Sequence, residues 1–158
     1  MDSNNHLVLT YHCDSSECLE ALAAALGRTT TAGTVITLAG PLGAGKTTFV
    51  RGFMHGYAPE YPDQVSSPTF ALMNCYHGPT PVYHYDCYRL HGSDDALALG
   101  IEDHLYGAGV CLIEWPERIS DLLTPLPHQS ITISYQGEDQ RVLVIKGLSD
   151  QQRHQMPD

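Results

Sequence analysis

The sequence predicts one α/β domain with a mainly parallel central sheet that antiparallel hairpins extend. Three observations carry this. Residues 34–39 (TVITLA) are β-branched and apolar and run into a glycine-rich turn and a helix-compatible segment, the repeating unit of α/β folds. Residues 110–113 (VCLI) form a second short apolar run, as a strand buried on both faces requires. Finally, residues 69–76 with 81–85, and residues 131–135 with 141–145, flank short turn sequences and read as two hairpins.

The other elements follow in order. Residues 7–11 (LVLTY) predict a first strand. Asp14, Ser15 and Ser16 offer caps for a helix over 18–26 that Gly27 should close. A helix from about Lys46 to His55 should end at Gly56, and residues 57–68, with three prolines, predict a surface loop. Ser93 can cap a helix through Leu99, and residues 101–106 add a further turn or two. The domain is expected over residues 1–147, with 148–158 as a polar, frayed tail.

Composition narrows the function classes. The 158 residues hold 18 acidic and 8 basic side chains, a formal charge of −10. No two basic residues are adjacent, which argues against tight nucleic-acid binding by this chain alone, since that rests on neutralising phosphates. The excess of acid leaves attraction to a basic partner open. Five cysteines without a C-x-x-C pair, and a polar start without a positive n-region, predict reduced thiols and a cytoplasmic protein. Apolar stretches fall far short of the roughly 20 residues a membrane span needs.

The chemistry concentrates in residues 40–47, GPLGAGKT, which fit G-x-x-x-x-G-K-[ST] at every fixed position. Glycines let backbone N–H groups turn inward around phosphates, mainly over Gly43, Ala44, Gly45, Lys46, Thr47 and Thr48, and the following helix adds its positive dipole end. Lys46 would reach the β- and γ-phosphates and the Thr47 hydroxyl would ligate Mg²⁺. Because a strand precedes the motif and a helix follows it, the pattern predicts a P-loop nucleotide-binding protein. Such a site needs an acid at the end of a neighbouring strand. Glu114, after residues 110–113, and Asp86, after residues 82–85, both fit. No N-K-x-D or D-x-x-G occurs, against a GTPase, and the sparse basic residues make the lid of a small-molecule kinase hard to build. An ATPase or an ATP-gated binding module remains.

Five blocks then carry a resemblance: residues 40–49 (GPLGAGKTTF), 51–53 (RGF), 67–70 (SPTF), 82–90 (VYHYDCYRL) and 109–117 (GVCLIEWPE). In order and spacing they resemble the bacterial tRNA threonylcarbamoyladenosine biosynthesis ATPases, the TsaE (YjeE) family, over roughly residues 7–146. The resemblance implies a weak Mg²⁺-dependent ATPase that acts with a threonylcarbamoyl-transferase complex (TsaB/TsaD-like proteins) on adenosine 37 of tRNA, meeting tRNA only through those partners. It also implies roles. Thr47 and Glu114 match Mg²⁺ ligands, and Asp86 matches an acid required for activity. Ser67, Pro68 and Thr69 match a switch-like loop facing the nucleotide. Trp115 matches a tryptophan beside the site, and Arg141 matches a residue approaching the adenine. Pro41 departs from the usual acidic residue of the family's loop.

The remaining histidines and cysteines carry less. Cys75, His77, His84 and Cys87 alternate on hairpin strands without the tight pairs of a zinc site, so ordinary hairpin residues are expected. His84, two residues before Asp86, is read as a packed histidine that could neighbour the nucleotide site.

Overall fold

The computed structural model describes residues 7–68 and 72–158. Seven strands form one sheet in the order β1-β7-β6-β2-β5-β4-β3. They are β1 (Val8–Cys13), β2 (Val35–Ala39), β3 (Met73–Tyr76), β4 (Val82–Asp86), β5 (Val110–Glu114), β6 (Gln129–Gln136) and β7 (Gln140–Lys146). The central pairs β6/β2, β2/β5 and β5/β4 are parallel, while β1/β7, β6/β7 and β3/β4 are antiparallel. Both predicted hairpins, β3/β4 and β6/β7, are present and extend the parallel centre on either side.

Helices cover both faces. α1 (Ser16–Thr29) and α2 (Lys46–Tyr57) lie on one, where Leu22, Leu26, Phe49, Phe53, Ile36, Leu38 and Leu112 join a single apolar cluster. On the other, α3 (Ser93–Ala98), α4 (Ile101–Leu105), a 3₁₀ turn (Pro116–Ile119) and α5 (Ser120–Leu123) cover Val35, Tyr85, Cys111 and Ile113. Alternate residues of β2 and β5 therefore enter different cores, which is why both strands read as continuous apolar runs.

Four expectations change. Gly27 and Gly56 do not end their helices but lie inside α1 and α2. A Cβ on Gly27 would stand 2.2 Å from the Phe53 carbonyl oxygen, and one on Gly56 would stand 2.0 Å from that of Ala24. These glycines therefore serve the close backbone approach of the two helices rather than a stop signal. Ser93 is not an N-cap: Gly92 occupies that position and the Ser93 hydroxyl bonds Asp121 instead. The tail expected to fray forms α6 (Asp150–Gln155), capped by Ser149, whose side chain accepts from the Gln152 N–H while Gln152 reaches back to the Ser149 N–H. Gln152 further bonds Thr29 and Gln129, and Met156 enters the core beside α1.

All five cysteines are free thiols. Among the described residues no helix is long and apolar enough to cross a membrane.

The α1/α2 contact generates a stability prediction. Alanine at Gly56 gains about 1 kcal/mol of helix propensity but forces the backbones apart, an overpacking cost of about 1–3 kcal/mol or more. Gly56→Ala should lower the urea midpoint without changing the denaturant slope. Gly92→Ala, where an added Cβ meets nothing within 4 Å, should lower the midpoint less, by the cap preference of glycine over alanine at the start of α3 alone.

Candidate nucleotide and cation site

The glycine-rich loop leaves β2 at Gly40 and enters α2 at Lys46. Gly43 and Gly45 both adopt left-handed backbone, at φ 75° and 111°, a conformation that costs other residues and turns successive N–H groups to one side. A side chain at Gly43 would also collide with the Tyr135 hydroxyl, 2.8 Å from a built Cβ. The β6/β7 hairpin holds the loop from outside: Tyr135 donates to the Leu42 carbonyl at 3.1 Å and Arg141 Nε to that of Ala44 at 3.1 Å. Pro41, which lacks an N–H, contributes its carbonyl, accepting from the Ala44 N–H at 3.1 Å.

Strand register brings the acids in. Leu38 of β2 pairs with Glu114 of β5, and Glu114 with Asp86 of β4. The three parallel strands thus end together beside the loop, at the carboxyl edge where ligands bind in open α/β sheets. Leu42, Gly43, Gly45, Lys46, Thr47, Thr48, Ser67, Asp86, Glu114 and Trp115 line one cavity of about 310 Å³. A second cavity, of about 440 Å³, shares Gly43, Gly45 and Thr48 and is closed by Ala44, Asp14, Ser15, Glu138, Asp139 and Arg141. Of the loop, acid, tryptophan and arginine residues singled out from the sequence, Gly43, Ala44, Gly45, Lys46, Thr47, Thr48, Asp86, Glu114, Trp115 and Arg141 each line one or both; Thr69 lies outside the described residues. Its neighbours Ser67 and Pro68 line a third, adjoining cavity with Asp86, Tyr88, Arg89 and Trp115.

Lys46 is buried, 6% exposed, and donates to the Gly40 and Pro41 carbonyls at 2.5 and 3.0 Å, with its ammonium 4.3 Å from the centre of the Trp115 ring. Burial lowers its pKa, while Glu114, Asp86 and Glu117 push the other way. Burial likewise raises the pKa of Asp86, against the Tyr88 N–H that its Oδ1 accepts at 3.0 Å. Trp115 holds a left-handed backbone at φ 57°, rare for a bulky residue, and its ring also packs on Tyr88, centroids 4.8 Å apart. Strain of this kind gathers where the surroundings over-determine a functional geometry.

One site residue went largely unread in the sequence. His84 has no exposed surface, and its Nε2 lies 2.5 Å from Glu114 Oε2. Its Nδ1 lies 2.9 Å from the Tyr76 hydroxyl. The signal available was alternation: His84 precedes Asp86 by two residues and so shares its face of β4. Among the described residues no three His, Cys, Asp or Glu side chains gather as a metal-binding group. The hydroxyl and carboxylate oxygens of Thr47, Glu114 and Asp86 are instead the hard donors that suit Mg²⁺ beside a polyphosphate, a cation that keeps several of its waters.

The strand, the left-handed glycines, the buried lysine and the aligned acids define a P-loop protein of the α/β class. Comparison with known proteins narrows this. The family model for threonylcarbamoyl adenosine biosynthesis protein TsaE matches residues 13–143. The tRNA threonylcarbamoyladenosine biosynthesis protein TsaE of Treponema pallidum is 42% identical over 109 residues, 69% of this chain and 77% of that protein. That of Bacillus subtilis is 36% identical over 142 residues, 89% and 85% of the two chains. The crystal structure of Bacillus subtilis YdiB superposes with a TM-score of 0.72 at 30% identity, over 94% of this chain and 91% of that one. The chain belongs to the TsaE family.

The raised Asp86 pKa fixes a sign. Ionising this carboxyl costs the fold, so the stability attached to it is complete below the ordinary value of 3.8 and is lost as pH rises through the raised value of the folded state. Asp86→Asn keeps an acceptor for the Tyr88 N–H and removes that loss. Its thermal midpoint should exceed wild type at pH 7, with the gap closing towards pH 4. A scanning-calorimetry series over that range measures it, and a pH-independent gap would contradict the burial argument.

Proposed function

We propose that this chain binds ATP with Mg²⁺ and hydrolyses it as the ATPase component of the machinery that makes threonylcarbamoyladenosine at position 37 of tRNA. The observation that carries the reading is the strand register that sets Glu114 and Asp86 side by side at the mouth of a loop holding Lys46 and Thr47. Family membership supports the tRNA-modification setting.

In this reading the loop N–H groups and Lys46 hold the phosphates. The Thr47 hydroxyl and the Glu114 carboxylate hold Mg²⁺, which neutralises charge on the β- and γ-phosphates. Asp86 orients the attacking water and takes its proton; a carboxyl whose pKa is raised is the better base for that task. Ser67 faces the phosphates from the segment that lines the same cavity, and Trp115 walls the cation side. Arg141 faces the base from the second cavity. A cytoplasmic location, beside tRNA and the proteins that modify it, fits this role.

Two predictions test this. Glu114→Gln changes charge with little change of shape, so hydrolysis should fall about 100-fold through lost charge stabilisation and the Mg²⁺ requirement should rise, while nucleotide affinity without Mg²⁺ holds. A Mg²⁺ titration that overlays wild type would leave Glu114 as a strand-end acid only. Lys46→Ala in parallel should lose nucleotide affinity altogether.

The second concerns partners. P-loop hydrolysis draws on positive charge beyond the loop lysine, often from another chain. Arg118 is laid against the Tyr88 ring, 5.9 Å from its centre, and the chain as a whole is strongly acidic. Turnover should therefore be slow in isolation, rise with a TsaB/TsaD-like transferase complex, and lose that gain as salt rises. Fast hydrolysis that no partner changes would point to a self-sufficient enzyme.

A further inference from the structure

We propose that His84 and Tyr76 form a buried strut that sets the Glu114 carboxylate and ties it to the segment carrying Ser66 and Ser67, which makes His84 a positioning residue for the cation site. This rests on the reading that Glu114 holds Mg²⁺. Tyr76 on β3, His84 on β4 and Glu114 on β5 lie on one face of the sheet, stepping diagonally across three strands. Val82, Val110 and Leu112 on the same face are wholly buried in the α1/α2 core. An apolar side chain at position 84 would satisfy packing there. The imidazole instead has a partner at each nitrogen, and what those partners do gives it a purpose.

At one end, a carboxylate only accepts, so Nε2 carries the proton given to Glu114 Oε2. That bond fixes the carboxylate rotamer and commits Oε2, so a cation would draw on Oε1. Outer partners of metal-binding carboxylates act in this way, by orienting the ligand. At the other end, the Tyr76 hydroxyl stands between Nδ1 and the Ser66 carbonyl, 2.8 Å away. Ser66 is held by β3 again through Asn74 Nδ2, which donates to its carbonyl at 3.1 Å and its hydroxyl at 3.2 Å. Gln64, two residues earlier, exchanges two 2.8 Å bonds with the backbone of His77. The segment next supplies Ser67 to the cavity that Glu114 lines. Three consecutive polar contacts thus run from the cation side of the site to the loop over it; Tyr76 has one hydroxyl proton, so all three are hydrogen bonds at once only where Nδ1 also carries a proton. A shift at either end changes the free energy at the other, and linkage makes the coupling reciprocal.

The test uses the whole chain with a fluorescent ADP analogue and the variants Tyr76→Phe and His84→Gln, compared with Glu114→Gln. Three quantities are read: the Mg²⁺ concentration that half-saturates binding, analogue affinity in EDTA, and hydrogen exchange over residues 64–68 with and without Mg²⁺-nucleotide. The Mg²⁺ requirement should rise about tenfold in His84→Gln and severalfold in Tyr76→Phe, which touches no candidate ligand. Affinity in EDTA should stay at the wild-type value. Exchange over 64–68 should quicken in nucleotide-free Tyr76→Phe and lose the response to Mg²⁺-nucleotide seen in wild type. His84→Gln should add nothing in the Glu114→Gln background. If His84→Gln does not fold, Tyr76→Phe, which keeps the ring, decides alone. Wild-type Mg²⁺ dependence in Tyr76→Phe, or an equal loss of affinity in EDTA, overturns the strut. If Glu114→Gln itself leaves Mg²⁺ dependence untouched, the cation role of Glu114 falls and the strut falls with it. A shift in Glu114→Gln without one in the other variants removes the strut alone.

Discussion

Parallel strands share one polarity, so the carboxyl ends of β2, β5 and β4 arrive at the same edge, and the pairing of Leu38, Glu114 and Asp86 makes them arrive at the same level. The loop leaves β2 two residues after Leu38, so its cradle forms directly above that level. Side chains alternate with a period of two; slipping β5 by one residue would turn Glu114 into the core under α3–α5 and bring Ile113 to the mouth of the loop. The apolar residues of β2 and β5, buried on both faces, oppose such a slip because it would carry Glu114 into an apolar layer. Packing energy in the sheet therefore holds the geometry of the site, and the two cannot vary independently.

Electrostatics at that edge runs against folding. Lys46 and Asp86 are each withdrawn from water far enough for burial to lead the shift in pKa, and each is offset in part by the other. Trp115 adds backbone strain. A site made for fold stability would have replaced these groups by apolar ones. Their assembly around oxygen donors instead suits a ligand that brings both negative charge and a divalent cation, since each component removes part of the cost of burying the other. The α1/α2 contact and the clamp from Tyr135 and Arg141 keep the loop in place at that cost.

Much of this was legible in the sequence because its chemistry is local. Residues 40–47 name their own backbone conformation, and Glu114 follows an apolar run whose length marks a strand end. The two hairpins were readable from alternation and turn residues. The helix ends at Gly27 and Gly56 were misread because glycine marks both a stop and a close approach, and only the position of the facing helix separates the two. Ser149 and Gln152 held a readable capping box, obscured by the polarity around it; what anchors α6 is the reach of Gln152 to Thr29, 123 residues away in the chain. The role of His84 depends on a diagonal across β3, β4 and β5, and strand order is not written in any one segment.

Trp115 is the chain's only tryptophan, and it sits with the Lys46 ammonium over its ring and Tyr88 against its side. Tryptophan emission, excited to the red of where the nine tyrosines absorb, therefore has a single origin, at the mouth of the candidate site. An ammonium close to an indole is a quencher whose effect depends on distance, and phosphate binding would draw that charge away towards the loop. The native chain thus carries its own optical probe, and ligand titrations can be followed in cuvette or stopped-flow without a dye. Light emitted at 115 reports on that one cavity and is blind to the rest of the fold.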